Sequence, residues 1–481
     1  MGAGQAARFR RPIANEVDNP HWWWEYPAHK TDPRRMGRIP LCRIRRKAGK
    51  DEWQCFASLR RPRSAFLKEV PVETIAERCC GLDVHQAVVV ACTLVGDAGK
   101  RTHKEIRRFG TMTADLARLR AWLAEQGITH VAMEATGIYW VPVYAALEGG
   151  FELIVGNAAH MKNVPGRKTD VKDSEWIAHL ARHGLIRKSF VPPKDLRELR
   201  ELLRYRVKLV QSRTAERNRL QRLLETVNIK LASVMSDVFG VSGRAMLAAI
   251  VKQDYVAADV AELARGTLKK KTEALRLALD GRIEDHQRFM LGVQLRRLDQ
   301  VEADITAIDG QLDTRLEPYR EQFDRLLTIP GVDRLVAATI IAELGVNMEI
   351  FPSEQHAAAW AGVCPGNHES AGRNKRQPVR KGNVHLVTAL VQAAVCASRA
   401  QNTYLRAKYW KLAPRLGKKR AAMAIAHKIL IAAYYMLDRG VNYADLGDAY
   451  LDKRNTTATR RALVKRLERM GYSVSLEEKA A

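Results

Sequence analysis

RCCGLDVHQAVVVACTLVGD, residues 78–97, holds two apolar runs rich in β-branched residues, parted by the polar pair His85-Gln86. Short runs of that kind, bounded by turn residues, read as strands. KEIRRFG (104–110) gives a third strand after the turn GDAGKR. TADLARLRAWLAEQG (113–127) follows as an amphipathic helix with a Thr/Asp start and a Gly stop. ITHVAMEAT (128–136) is a strand, IYWVPVYAALEGG (138–150) a helix, FELIVG (151–156) a strand and DVKDSEWIAHLARHG (170–184) a helix. The order is β-β-β-α-β-α-β-α, which predicts a mixed α/β layer.

One residue in the opening stretch does not suit a buried strand. Asp83 sits inside the apolar run, where a carboxylate is costly unless it is paired or binds metal. Glu134 ends the strand VAMEAT. Asp170 and Asp173, in GRKTDVKDSEWIAHLARHG (166–184), are three residues apart and share a helix face. Taken singly, Asp170 beside Thr169 is an N-cap, Asp173 a first-turn dipole partner and Glu134 a surface acid at a sheet edge. Taken together, in this order of elements, the four acids converge. Such a set suits two divalent cations about 4 Å apart, which activate an oxygen nucleophile and stabilise a leaving oxygen in phosphoryl transfer. Mg²⁺ suits an all-oxygen site. His85 and His160 lie nearby and are not expected to be ligands.

The chain has 481 residues, with 80 Lys+Arg against 53 Asp+Glu and a formal net charge of +27. That length allows two or three domains. That charge argues for a polyanionic partner, nucleic acid first and anionic membrane second. Lys428 interrupts the best candidate for a membrane span, AMAIAHKILIAAYYML, and MGAGQAARFRRPIANE has no apolar signal core, so a cytoplasmic protein without a membrane partner is expected. The seven cysteines form no C-x-x-C pair and read as reduced thiols.

Outside the α/β segment the chain changes character. Residues 1–74 mix Pro, Arg and scattered aromatics without period and read as an irregular basic tail; Val70 or Val72 is an alternative start. Residues 195–231 are long, charged and helical. Leu196, Leu199, Leu203, Val210, Leu220, Leu224, Val227 and Leu231 fall on alternating three- and four-residue steps, the pattern of an interrupted coiled coil. Arg206, Arg213 and Arg217 share that seam; they either face nucleic acid or snorkel out of a helical pair. A second helical block spans about 260–325. LLTIPGVDRLVAATIIAELG resembles a helix-hairpin-helix element, whose turn would meet a phosphate. Then come the basic, glycine-bearing loop WAGVCPGNHESAGRNKRQPVRKGN, further apolar helices and a basic helical end. The expected domains are 1–74, 77–190, 191–322, 323–440 and 441–481.

GLDVHQ, MEATGIYW and KTDVKDSEWIAHL resemble the D-E-D-D motifs of the insertion sequence 110 family of transposases. CPGNHESAGRNKR resembles the serine motif of that family's second domain, although Ala371 separates Ser370 from Gly372 and His385 stands where an arginine is common. The resemblance covers about residues 77–440. It implies an RNase H-like, RuvC-like N-terminal domain, a helical coiled-coil insertion and a mostly helical C-terminal serine domain. It implies Mg²⁺ held by Asp83, Glu134, Asp170 and Asp173, and Ser370 as a nucleophile that becomes joined to DNA. Also implied are donor and target DNA, a structured guide RNA transcribed from the element, and a homo-oligomer, dimer or tetramer, in which the acidic domain of one protomer meets the serine domain of another.

A serine between Glu and Ala in a polar loop is ordinarily a solvated turn residue. What sets Ser370 apart is its surroundings: Arg373, Lys375, Arg376, Arg380 and Lys381 follow closely, and could clamp a phosphate and stabilise charge on its oxygens. Two other readings stay open. A RuvC-like structure-specific nuclease would need the four acids and no serine. A non-catalytic nucleic-acid-binding protein would use the acids as caps and the charge as its whole function.

Overall fold

The structure, a computed structural model, describes residues 75–97, 102–135, 137–162, 173–252, 256–366, 369–370, 373–374, 378–454 and 456–477. The expected tail 1–74 and Asp170 lie outside the described residues. Two compact units part between Val191 and Pro192.

In the first unit, β1 (Arg78–Val84), β2 (Val88–Val95) and β3 (His103–Gly110) form an antiparallel meander. After α1 (Thr113–Glu125), β4 (His130–Glu134) returns parallel to β1, and after α2 (Trp140–Leu147), β5 (Glu152–Gly156) lies parallel to β4. The order across the sheet is β3-β2-β1-β4-β5. A short helix α3 (Ala158–Lys162), absent from the sequence expectation, precedes α4 (Asp173–Arg182).

Strand alternation sorts the core into two faces. Cys80, Leu82, Val89, Ala91, Val131 and Met133 pack with Leu119 and Trp122 of α1 and with Val143 and Leu147 of α2. On the opposite face Cys79, Cys92 and Leu94 pack with Ala178 of α4, and Ala132 packs with Ile177 and Leu180. Gly81 faces α4 too. A Cβ there would come within 2.2 Å of the Ser174 carbonyl oxygen, so only glycine lets the helix lie this close to the strand. Arg182, 5% exposed, closes the far end by donating to the carbonyls of Glu77, Gly96 and Asp97. Burial pushes the Cys79 thiol up to about 11 and the Cys92 thiol up to about 12, so both are neutral packing groups at physiological pH. Among the described residues every cysteine is a free thiol.

The second unit is built on two long antiparallel helices, α5 (Lys194–Thr226) and α10 (Asp285–Leu316). Between them lie α6 (Leu231–Val234), α7 (Val241–Val251), α8 (Ala257–Ala261) and α9 (Thr272–Leu279). Leu220, Leu224, Val227 and Leu231 are buried in one core with Met246, Leu247, Leu275, Leu291 and Leu298. Leu209 packs on Val301 and Ile305, with Val210 of the seam pattern packed against the same cluster. Arg206 makes a two-pronged bond to Asp309 at 2.6 and 3.0 Å, and Arg217 reaches Glu302 at 3.1 Å. The apolar seam is therefore filled by the chain's own α10 and the small helices, and Arg206 and Arg217 are arginines of a helical pair.

Next come α11 (Arg320–Leu327), α12 (Arg334–Leu344) and α13 (Glu354–Ala361). The two short strands β6 (Glu369–Ser370) and β7 (Arg373–Asn374) follow. Then come α14 (Val384–Ala397), α15 (Tyr404–Leu416), α16 (Lys418–Arg439), α17 (Tyr450–Arg454) and α18 (Thr456–Arg469). The Ile-Pro-Gly-Val turn links α11 to α12, but it is a packing turn. Ile329 and Val332 are buried, Gly331 lies against the backbone of Ala393 and Ala397 in α14, and the N-terminus of α12 is capped by Asp333, which accepts from the Val336 amide at 2.9 Å. The chain's own carboxylate takes the place anticipated for a phosphate. Lys428 does not prevent α16 from being long and apolar enough, by length and composition, to cross a membrane; it is a core helix of this unit, mostly buried, with Lys428 itself 8% exposed.

Candidate active site

The acids of the first unit can be placed from strand register. Leu82 pairs with Met133 in the parallel β1–β4 ladder, and one step further brings Asp83 beside Glu134 at the C-terminal ends of both strands. Asp83 shares the face of Cys79 and Gly81, and Glu134 shares the face of Ala132, so both carboxylates belong to the side that α4 covers. Helix α4 runs antiparallel to β1: the Ala76 amide donates to Arg182, the Cys79 thiol to Ala178, and Gly81 lies against Ser174. Extending that line toward the helix start leads from Asp83 to Asp173, the first residue of α4. Topology thus gathers Asp83, Glu134 and Asp173 at one rim of the sheet.

The side chains are not drawn into a tight cluster. Among the described residues no three His, Cys, Asp or Glu side chains are grouped as they would be around a metal ion. Asp83 is partly exposed, with Oδ2 3.0 Å from Nε2 of the exposed His85. Asp173 is exposed. The donors are all carboxylate oxygens, the set a hard divalent cation prefers. His160, whose amide bonds the Asn157 carbonyl on α3, follows β5 and not β1 or β4.

Ser370 belongs to the second unit. It ends β6, with its backbone paired opposite Arg373 of β7. The segment carrying the two strands leaves α13 and returns to α14 through a ladder of backbone contacts. Gly366 donates to Pro378, Arg380 to Cys364 and Asn383 to Ala361, and Pro365 bridges to Val379. Gly362 and Gly382 make the base of this ladder possible. Gly362 has φ of +82°, and a Cβ on it would come within 2.8 Å of the Gly382 backbone. Arg380 and Lys381 are exposed at that base. Lys375 and Arg376, the other cations expected here, lie outside the described residues, as does the side chain of Arg373.

Four other hydroxyls of this unit are occupied or buried. Ser353 caps α13 by accepting from the His356 amide, Thr339 donates to the Leu335 carbonyl at 2.7 Å, and Tyr404 and Tyr409 are 1% and 6% exposed. The sequence leaves two features of the sites without an assigned contact. His85 on Asp83 was visible only as a neighbour two residues away. Glu343 is a lone carboxylate in the apolar helix RLVAATIIAEL, the same kind of signal that marks Asp83.

Comparison with known proteins covers both segments. Residues 80–229 match the family model for the DEDD domain of IS110 elements, described as a transposase, and residues 323–410 match the model described as a transposase of the IS116/IS110/IS902 family. The chain is 26% identical over 322 residues to a transposase for insertion sequence element IS1111A of Coxiella burnetii, covering 65% of this chain and 79% of that one. It is also 26% identical over 323 residues to a family 20 transposase of Pseudomonas aeruginosa, covering 65% of this chain and 85% of that one.

Proposed function

The chain belongs to the insertion sequence 110 family of transposases, and from that premise we propose that it exchanges DNA strands by phosphoryl transfer with Ser370 as nucleophile. The observation that carries this reading is the division of chemistry between the two matched segments. The carboxylate rim falls in one and the basic serine loop in the other. We assign residues 77–190 to an RNase H-like acid domain, whose support is the strand order β3-β2-β1-β4-β5, and residues 323–440 to the serine domain.

Asp83, Glu134, Asp170 and Asp173 would hold a divalent cation, Mg²⁺ by the hardness of the donors. When bound, it would supply Lewis-acid polarisation of the phosphate and neutralise charge on the transferring group. The protein's own part is positioning. The Ser370 hydroxyl attacks phosphorus, a serine–phosphorus ester forms, and the bond from phosphorus to the leaving deoxyribose oxygen breaks. The serine gives up its proton, and the leaving oxygen takes one up as a free hydroxyl. The ester keeps the energy of the phosphodiester, so a second DNA hydroxyl can displace the serine and complete the exchange. Arg373, Lys375, Arg376, Arg380 and Lys381 would surround the phosphate with donors. The excess of 80 basic over 53 acidic residues supports binding of donor and target DNA and of an element-encoded guide RNA. We take the working form to be a homo-oligomer.

The test is strand transfer between two DNA duplexes with the purified protein and the RNA that copurifies with it, with Mg²⁺ and with a chelator. Joined products that need the cation are expected. Cutting without joining would favour a structure-specific nuclease, and binding alone would leave a nucleic-acid-binding protein.

A further inference from the structure

Glu343 lies in the middle of a buried hub that ends at the serine loop. Its side chain, 1% exposed, accepts from Arg204 Nε at 2.8 Å and Nη2 at 2.9 Å and from Asn383 Nδ2 at 2.7 Å, and forms an ion pair with Arg200, whose Nε lies 3.0 Å away. Arg200 also donates to the backbone carbonyls of Ala342 and Glu343 at 3.1 and 3.0 Å. Three elements therefore meet on one carboxylate: α5 through two arginines one turn apart, α12 through Glu343, and the exit of the serine loop through Asn383.

Asn383 uses every polar group it has. Its Oδ1 caps α14 by accepting from the His385 and Leu386 amides, its own amide donates to Ala361 across the base of the loop, and its Nδ2 is held by Glu343. A carboxylate kept for neutrality alone would be satisfied by the fork of Arg204. Here the carboxylate also accepts from Asn383, the residue that ends the serine segment, beside the ion pair with Arg200. Its orientation fixes both where α14 starts and where the loop returns. Buried ion pairs are weak sources of stability, and their best use is to specify one geometry.

We propose that Glu343 is a positioning residue. By holding Asn383 it fixes the returning arm of the Ser370 loop, and so the line of attack of the serine on phosphorus. The proposal rests on the reading of Ser370 as nucleophile. It differs from a stability role because a small displacement of a reacting atom slows chemistry without weakening binding.

The test uses the full chain carrying Asn383→Ser. Serine remains a good N-cap, so α14 keeps its start, but it is too short to reach Glu343. Three quantities are compared with wild type: the single-turnover rate of protein–DNA adduct formation at saturating DNA, the equilibrium DNA affinity, and amide hydrogen exchange. The rate should fall about 100-fold, with affinity unchanged. The amides of Gly366 and Arg380 should exchange faster, while those in the body of α14 should not. Joining Glu343→Gln to Asn383→Asp reverses donor and acceptor and keeps one carboxylate beside the two arginines, so it should restore much of the rate. An unchanged rate with unchanged loop exchange in Asn383→Ser overturns the proposal. If wild type forms no adduct at Ser370, the nucleophile reading fails instead, and the exchange data alone decide whether Glu343 anchors the loop.

Discussion

The two candidate centres are held in place by opposite means. The carboxylates of the first unit stand at the ends of β1 and β4 and at the first residue of α4, so sheet register and one close helix–strand contact at Gly81 fix where they lie. Ser370 stands on a two-residue strand that is not part of the five-stranded sheet, and its loop is held at its base by the buried Glu343 with Arg200, Arg204 and Asn383. The first arrangement is set by the backbone, the second by side chains. A site of the first kind tolerates change around it as long as the strands pair. A site of the second kind depends on a few remote groups that touch no substrate.

That contrast can be broken at four points. The largest effect is expected at the rim. Asp83→Asn, Glu134→Gln and Asp173→Asn should each abolish strand transfer while leaving the thermal melt in place, and Asp170→Asn should do the same. Full activity in the Asp170→Asn and Asp173→Asn double variant would return those two residues to helix capping. Next comes Leu220→Asp with Leu224→Asp. Both leucines are buried within the chain's own core, and unpaired charges there cost several kcal/mol each, so the second unit should melt far earlier. Sedimentation showing a folded monomer after this change would mean that the seam joins protomers.

Glu343→Ala follows, since removing the buried carboxylate leaves the mostly covered Arg200 without it while Arg204, its side chain 40% exposed, can turn to water, at a cost of about 3 kcal/mol, the low end for a buried pair, read by chemical denaturation. A loss below about 1 kcal/mol would show that the arginines find water, as surface pairs do. The smallest effect is expected at His85. Its hydrogen bond to Asp83 is exposed, so His85→Ala should slow strand transfer by less than about tenfold, the worth of one ordinary hydrogen bond. A loss as deep as that of Asp83→Asn would promote His85 to a member of the site.

The same contrast explains what the sequence discloses. Strand and helix order, and the odd carboxylate Asp83 in an apolar run, can be read because alternation and cost of burial are local properties. Asp83 and Glu134 become neighbours as soon as β1 and β4 are paired in parallel. The seam leucines at 196–231 can be read as apolar and helical, but their partner cannot, because a heptad-like stripe packs equally well on another chain or on α10. The Ile-Pro-Gly-Val turn reads as a phosphate seat until Asp333 is seen capping the next helix. Glu343 and Asn383 are forty residues apart, and Arg200 lies on another helix altogether, so nothing local announces that they meet.

The fate of labelled DNA tests the serine mechanism most directly. Wild-type protein incubated with substrate, Mg²⁺ and copurified RNA, then run on a denaturing gel, should carry the label, and peptide mapping should place it on Ser370. Ser370→Ala should bind DNA and fold yet give neither adduct nor recombinant. A label that persists in Ser370→Ala, or that maps to a tyrosine such as Tyr404 or Tyr409, would contradict the serine mechanism and leave the carboxylate rim to act alone.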